Sequence, residues 1–366
     1  MPSILLIINK PSGGGAEKVF STLLAGFLAA GYRVKVFYTS KSKIKFRLLR
    51  FILNYLKILV ISIRFNPIII SGLHEENLLA FLAPTSNKKI LSLHTNEFPK
   101  GKLGFIHNQL YKLASSRSNT ELVCVSNGLK NIFCKKIEGF KSSVIYNGLL
   151  DFSKIYHSPK DINVSNYNPR ELKNILVVGR FVHQKNIILA ISIFEEWQKI
   201  NKDLKLTIIG EGPQANQINF AIKGKGLDEK ITIKPWTNRI EEEYQKHEIL
   251  LFTSKWEGFG NVIIEAISQG LYVFSTDCNF GPREIIFPEM DINRKIDSSF
   301  LSNSYGTIVK YSPNDTINRS VLLFTNAYES YLTEPTYDHD DRDMHEFYER
   351  FSKAKLIKNY TQLLGL

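Results

Sequence analysis

Strand-length apolar runs alternate with helix-length segments through two successive halves of this 366-residue chain. Parallel strands must be joined by crossovers long enough to hold a helix, so an alternation of this kind points to βαβ units. In the first half the strand candidates are residues 4–8, 34–38, 67–71, 89–93, 121–125 and 143–146. Helices are expected between them near 16–30, 44–65, 76–82 and 103–115. A polar stretch without clear periodicity, 149–170, then reads as a linker. The pattern restarts with strands at 174–178, 205–209, 230–233, 249–252 and 272–275 and helices at 187–200, 213–222, 239–244 and 261–269. Residues 287–304 read as an irregular insertion and 305–309 as a late strand. The last segment, DDRDMHEFYERFSKAKLIKNYTQLL, places acids first and lysines last, as a helix dipole favours. The expectation is an α/β chain of two doubly wound domains, 1–160 and 171–335, closed by a helix over 340–366 that crosses back to the first.

Charge is unevenly spread. Residues 1–150 carry 21 Lys plus Arg against 6 Glu and no Asp, whereas the remainder is slightly acidic, 26 against 29. Seven of the cations fall in KSKIKFRLLRFILNYLKILVISIRF, which opens on Lys41, ends on Phe65 and contains no acid. Cations interleaved with Phe, Leu and Ile make a basic amphipathic helix suited to anionic lipid headgroups, at about 1 kcal/mol per cation near the surface. A packed helix with a solvated basic face and a nucleic-acid site are the other readings of that stretch, and membrane surface is preferred to nucleic acid. Residues 56–63 are expected to lie partly in the core. The three cysteines, Cys124, Cys134 and Cys278, show no metal-ligand spacing and no even disulfide set, which suits a reducing cytosol. The apolar start SILLII lacks a basic flank and runs into three glycines, so it reads as a first strand rather than a signal peptide.

The chemistry gathers at the carboxyl ends of the expected strands, where open α/β sheets bind ligands. SKWEGFGNVIIEA (254–266) follows a strand and opens a helix. The amides of 260–263 would offer a phosphate a positive helix end, with Gly258 and Gly260 allowing close approach. Glu257 and Glu265 would repel that anion unless they accept hydrogen bonds from hydroxyls of the same ligand, which describes a nucleotide sugar. After 174–178 comes GRFVHQKN, with Gly179 beside Arg180 and Lys185, two cations that could neutralise a diphosphate. KPSGGGAEKVF, with Gly14 and Gly15 at a helix start, is a second anion cradle. His94, in LSLHTNEF, could hydrogen-bond a sugar hydroxyl or move a proton; a structural histidine is the other reading. Asp338-His339-Asp340 matches D-x-D, a pattern that can hold a divalent metal, but an acidic helix start explains it, and no metal is expected.

Taken together these positions resemble glycosyltransferase family 4, the retaining nucleotide-sugar transferases of GT-B fold. The resemblance rests on GGGAEKVF (13–20), VSNGLKNIF (125–133), VIYNG (144–148), VVGRFVHQKN (177–186), IIGEGP (208–213), EGFGNVIIEA (257–266) and DCNFGPREII (277–286). It implies two Rossmann-like domains facing a central cleft and a UDP-sugar donor, with no cofactor. Arg180 and Lys185 would hold the donor diphosphate, helped by the Gly14 and Gly15 amides. Glu257 would accept from the transferred sugar and Glu265 from the ribose. The amides of Phe259, Gly260, Asn261 and Val262 would touch sugar and phosphate, His94 would face the sugar, and Pro235 and Trp236 would lie beside the base. In that family the Asn261 position is more often leucine.

Apart from Glu17, on the helix after the glycine loop and read as structural, and Glu97, no carboxylate stands near His94 or that loop to serve as a covalent nucleophile. The expectation is retention by front-face departure and attack. DCNFGPREII resembles a bacterial polysaccharide and lipopolysaccharide subset, which with the basic helix implies a lipid-linked saccharide acceptor at the cytoplasmic membrane face. A GT-B sugar-nucleotide epimerase and a non-catalytic nucleotide-sugar-binding protein stay open as alternatives.

Overall fold

The computed structural model describes residues 2–11, 13–41, 46–95, 101–151, 173–292, 294, 296–333 and 341–366. The linker 152–170, Asp338 to Asp340, Glu97, Lys43 and Lys45 lie outside the described residues. The chain divides into one unit of Met1–Asp151 with Glu349–Leu366 and a second of Phe152–Tyr348.

The first unit runs β1 (Ser3–Ile8), α1 (Gly15–Ala29), β2 (Arg33–Tyr38), α2 (Arg47–Phe65), β3 (Ile68–Gly72), α3 (His74–Leu82), β4 (Lys89–Leu93), α4 (Gly101–Ser115), β5 (Thr120–Cys124), α5 (Asn127–Lys136) and β6 (Ser142–Val144). Its strands pair in the order β2-β1-β3-β4-β5-β6, all parallel. Strands β3, β4 and β5 are buried along their whole length because helices cover both faces, and the polar residues they carry, Ser71, Lys89, Ser92, Thr120 and Glu121, are buried with them. Helix α5 escapes the periodicity reading. Its sequence NGLKNIFCKK is short and polar, and its start is fixed by Ser126, whose hydroxyl accepts from the Leu129 amide.

The second unit runs β7 (Asn174–Val178), α6 (Ile187–Ile200), β8 (Lys205–Ile209), α7 (Ala215–Gly224), β9 (Ile231–Lys234), α8 (Ile240–Tyr244), β10 (Ile249–Phe252), α9 (Asn261–Ile267), β11 (Tyr272–Thr276), α10 (Pro282–Ile286), β12 (Phe300–Ser302), β13 (Gly306–Val309) and α11 (Ile317–Thr333). Strand order is β12-β13-β11-β10-β7-β8-β9, parallel except β12. Part of the stretch expected to be irregular is therefore β12, an antiparallel edge strand. Helix α11 was not legible because Thr, Asn, Tyr and Ser interrupt its apolar residues. Packing supplies what propensity lacks, since Tyr328 stacks on Trp197 of α6 with ring centroids 4.3 Å apart.

Residues 340–366 are two helices rather than one, α12 (Asp341–Arg350) and α13 (Lys353–Leu364). The break falls at Ser352, whose hydroxyl caps α13 by accepting from the Lys355 amide. Helix α13 packs on α1, where Ile357 fills the space a Cβ at Gly26 would need, 2.2 Å away. Its Leu356, Tyr360 and Leu364 join the core built on β1 and α1.

Candidate donor site

Strands β7 and β10 lie side by side where the order of the second sheet reverses, the point at which an open α/β sheet leaves a crevice at its carboxyl edge. Gly179 and Arg180 follow β7 and lead into a single turn, His183–Lys185. Strand β10 continues into Thr253–Gly260. The two loops are stitched together. The Lys255 amide donates to the Gln184 carbonyl at 2.8 Å. Gln184 Nε2 donates to the Trp256 carbonyl at 2.8 Å and reaches Glu257 Oε2 at 3.4 Å. The Thr253 hydroxyl lies 3.2 Å from the carbonyls of both Lys185 and Asn186.

At the centre Lys185 Nζ stands 2.6 Å from Glu257 Oε1, with side chains only 15% and 10% exposed. The sequence assigns these two groups to separate parts of a ligand; in the structure they hold each other, because a charge this far from water is costly unless paired. Arg180 is exposed at the same strand end. The glycines of IIGEGP now have a mechanical reason. A Cβ at Gly210 would stand 1.9 Å from the Gly179 carbonyl oxygen, and one at Gly212 2.6 Å from that of Phe181. Gly179 in turn leaves room for the Lys185 stem, 3.2 Å from where its Cβ would be.

Gly260, at φ +108°, turns the chain into α9. One expectation needs correction here. The Ile263 amide is not open to a ligand, since it donates to the Gly260 carbonyl at 2.9 Å in a tight first turn. The other expected residues, Phe259, Gly260, Asn261 and Val262, stand at the same helix start. Behind them the Glu257 backbone is clasped on both sides: its amide donates to Asn279 at 2.6 Å and its carbonyl accepts from Phe280 at 3.1 Å. Arg283 holds that strap in place through both carboxylate oxygens of Asp277, Nε to Oδ1 being 3.1 Å. Glu265 accepts from the Tyr244 hydroxyl at 2.9 Å. Burial and the neighbouring carboxylate push that phenol well above its usual 10, so it remains a donor. Trp236, half exposed, follows β9 at the same end of the sheet.

Gln184, Tyr244, Asn279 and Arg283 were missed. Gln184 and Arg283 stand inside motifs already singled out, but only the fold shows what they touch. Tyr244 has no sequence signal, because its partner is 21 residues away. Among the described residues no group of three or more His, Cys, Asp or Glu is placed to hold a metal ion.

The remaining expected residues belong to the first unit. Gly14 caps α1 in extended conformation, with Glu17 Oε2 2.5 Å from where its Cβ would stand. His94 follows β4, near Phe20, and both of its ring nitrogens are shut off from water without a hydrogen-bond partner among the described residues. Burial lowers its pKa from 6.5 to about 4. The neutral ring is therefore the folded form between those values, and stability is lost as pH falls from 6.5 toward 4, where the unfolded chain binds the extra proton. At pH 5 the loss relative to neutral pH is about 2 kcal/mol. A His94→Phe variant should show that much less acid destabilisation in denaturant titrations at pH 7 and 5; parallel losses in the two proteins would mean that His94 charges freely when folded.

Residues 160–290 match the family described as Glycosyl transferases group 1. The Amylovoran biosynthesis glycosyltransferase AmsD of Erwinia amylovora is 34% identical over 118 residues, 32% of this chain and 33% of that one. A Campylobacter jejuni protein, N-acetylgalactosamine-N,N'-diacetylbacillosaminyl-diphospho-undecaprenol 4-alpha-N-acetylgalactosaminyltransferase, is 24% identical over 78% of this chain and 83% of its own. The chain spans about a third or less of the length of AmsD and of two other curated relatives. Anabaena HepE, solved in complex with UDP, superposes with a TM-score of 0.71 at 15% identity over 99% of both chains. The chain therefore has the GT-B fold and carries, over residues 160–290, a segment of the glycosyl transferases group 1 type.

Proposed function

We propose that the protein is a retaining glycosyltransferase of family 4 that moves a hexose or N-acetylhexosamine from a UDP-sugar to a lipid-linked saccharide in bacterial surface polysaccharide synthesis. The observation that carries the reading is the Lys185–Glu257 pair at 2.6 Å, at the strand-order reversal beside Arg180. An arriving diphosphate would share Lys185 with Glu257 and recruit Arg180, leaving Glu257 free to turn an oxygen toward the sugar hydroxyls. Glu265, already oriented by Tyr244, would accept from the ribose, and Trp236 would lie along the base.

The bond from the anomeric carbon to the diphosphate oxygen breaks, the acceptor hydroxyl adds from the same face, and its proton passes to the departing phosphate oxygen. Fixed cations and backbone amides stabilise the charge that develops there. The related AmsD and C. jejuni transferases support a polysaccharide setting and a lipid-linked acceptor respectively. The acid-free basic stretch around α2 supports action as a peripheral protein at the cytoplasmic membrane face. No described helix is long and apolar enough to cross a membrane.

A panel of UDP-sugars assayed for UDP release, with and without bacterial lipid extract, tests the reading, and absence of UDP with every sugar would sink it. Within that assay Glu265→Ala should raise the donor KM roughly tenfold to a hundredfold, the value of one to two hydrogen bonds to a charged group, with kcat little changed. An unaltered KM would remove Glu265 from the ribose.

A further inference from the structure

The second helix of the first unit is built inside out. Its buried side carries Asn54, Ile58 and Ser62, with the Asn54 amide donating to the Thr39 carbonyl at 3.1 Å. Its apolar side is in water: Leu48, Ile52, Leu56, Val60 and Ile63 are all exposed, Val60 by 63% and Ile63 by 70%. At 100° per residue these five fall within one arc about a third of the way round the helix. Residues 56–63 lie partly in the core, as expected, through Ile58 and Ser62, while Leu56, Val60 and Ile63 face water. Beside that arc Arg50, Lys57 and Arg64 recur at seven-residue spacing and so form a cationic line along one edge, Arg50 also reaching Glu75 at 3.9 Å.

A second element shares the feature. Helices α2 and α4 both pack against α3, on the side of the sheet that right-handed crossovers give to α2 through α5. Helix α4 exposes Phe105, Ile106 and Leu113, and Lys112 is its basic residue in the last turn. Neither α2 nor α4 contains a single Asp or Glu. Exposed apolar side chains on two helices flanking a third exceed the scattered hydrophobes of an ordinary surface. The absence of acid selects an anionic partner, and a partner that is both apolar and anionic is a bilayer surface.

We propose that α2 and α4 together form a membrane-inserting face, with the α2 ridge sunk among acyl chains and its cationic line at the level of anionic headgroups. This deepens the peripheral-membrane part of the proposed function, replacing charge attraction alone by insertion from two helices. Arginine and lysine stems can lie along the apolar ridge while their heads reach phosphate.

The test uses the full chain and co-flotation with vesicles of phosphatidylglycerol mixed with phosphatidylcholine. Val60→Gln with Ile63→Gln on α2, and separately Phe105→Gln on α4, should each lower the vesicle-bound fraction at least fivefold. A residual bound fraction of wild type should persist in high salt, because insertion is not screened. All three sites are exposed, so melting temperatures should stay within a few degrees of wild type. Binding that high salt abolishes completely, or that the glutamine variants leave intact, overturns insertion. A concentration-dependent dimer that the same variants abolish would instead assign the face to a second copy of the chain. UDP release from a water-soluble acceptor assay is read in parallel: its retention in non-binding variants separates failure of this proposal from failure of the transferase reading.

Discussion

Replacing Lys185 by alanine is expected to lower donor turnover about a hundredfold to a thousandfold, the scale on which removal of one preorganised charge-stabilising group acts. The same substitution has a second cost, unrelated to chemistry. Glu257 is largely buried and, among the described residues, would keep only Gln184, at 3.4 Å, as a side-chain partner. Leaving it uncompensated should destabilise the second unit by roughly 1–3 kcal/mol. The two effects separate in the double variant Lys185→Ala, Glu257→Gln, which removes the stranded charge and should recover most of the lost stability without recovering turnover. Arg180→Ala supplies a cleaner arm, because Arg180 is exposed and its loss should cut turnover on a similar scale with an unchanged melting temperature. Near-normal UDP release in both single variants would detach these cations from the leaving group.

The pairing behind that expectation shows where sequence reading stops. Strands 89–93, 174–178, 205–209 and 249–252 are placed to the residue, because each is a short, mostly apolar run set off by polar or turn residues. Lys185 and Glu257 are legible as charged residues in the loops after strands, and Glu265 as an acid on the helix that follows; the fold does bring the first two into contact. What could not be read was occupancy. Whether Lys185 faces a ligand or Glu257 depends on the stitching of two loops about 70 residues apart by Gln184 and Thr253. Helices α5, α10 and α11 were lost for a related reason: their stability comes from a cap, a turn or an aromatic stack rather than from an apolar period of their own. On α2 the expected amphipathic pattern and the partly buried 56–63 stretch are both found, with Ile58 in the core and Leu56, Val60 and Ile63 facing water.

Gly281→Ala is expected to abolish turnover although residue 281 bears no functional group. At φ +100° and ψ −47° the position excludes ordinary L side chains, at about 1–3 kcal/mol of backbone strain. Space is the larger obstacle. A Cβ there would stand 1.7 Å from the Phe259 carbonyl oxygen, 2.4 Å from its carbon and 2.5 Å from its Cα. All three atoms are backbone, so no rotamer change relieves the clash, and the loop from Glu257 to Gly260 must move. That loop carries the carboxylate paired with Lys185 and the amides that open α9, and 1 Å there is enough to cost about a hundredfold in rate. Strain and clash together should remove roughly 3–5 kcal/mol, lowering the melting temperature by about 10 °C for a unit of this size. Gly270→Ala is the matched control: its φ is +82°, but nothing lies within 4 Å of the added Cβ, so only the smaller conformational cost applies and turnover should survive. Equal melting temperatures and equal UDP release in the two variants would show that the 277–281 strap yields without disturbing Glu257, and that the close approach of Gly281 to Phe259 is not what holds the donor loop in place.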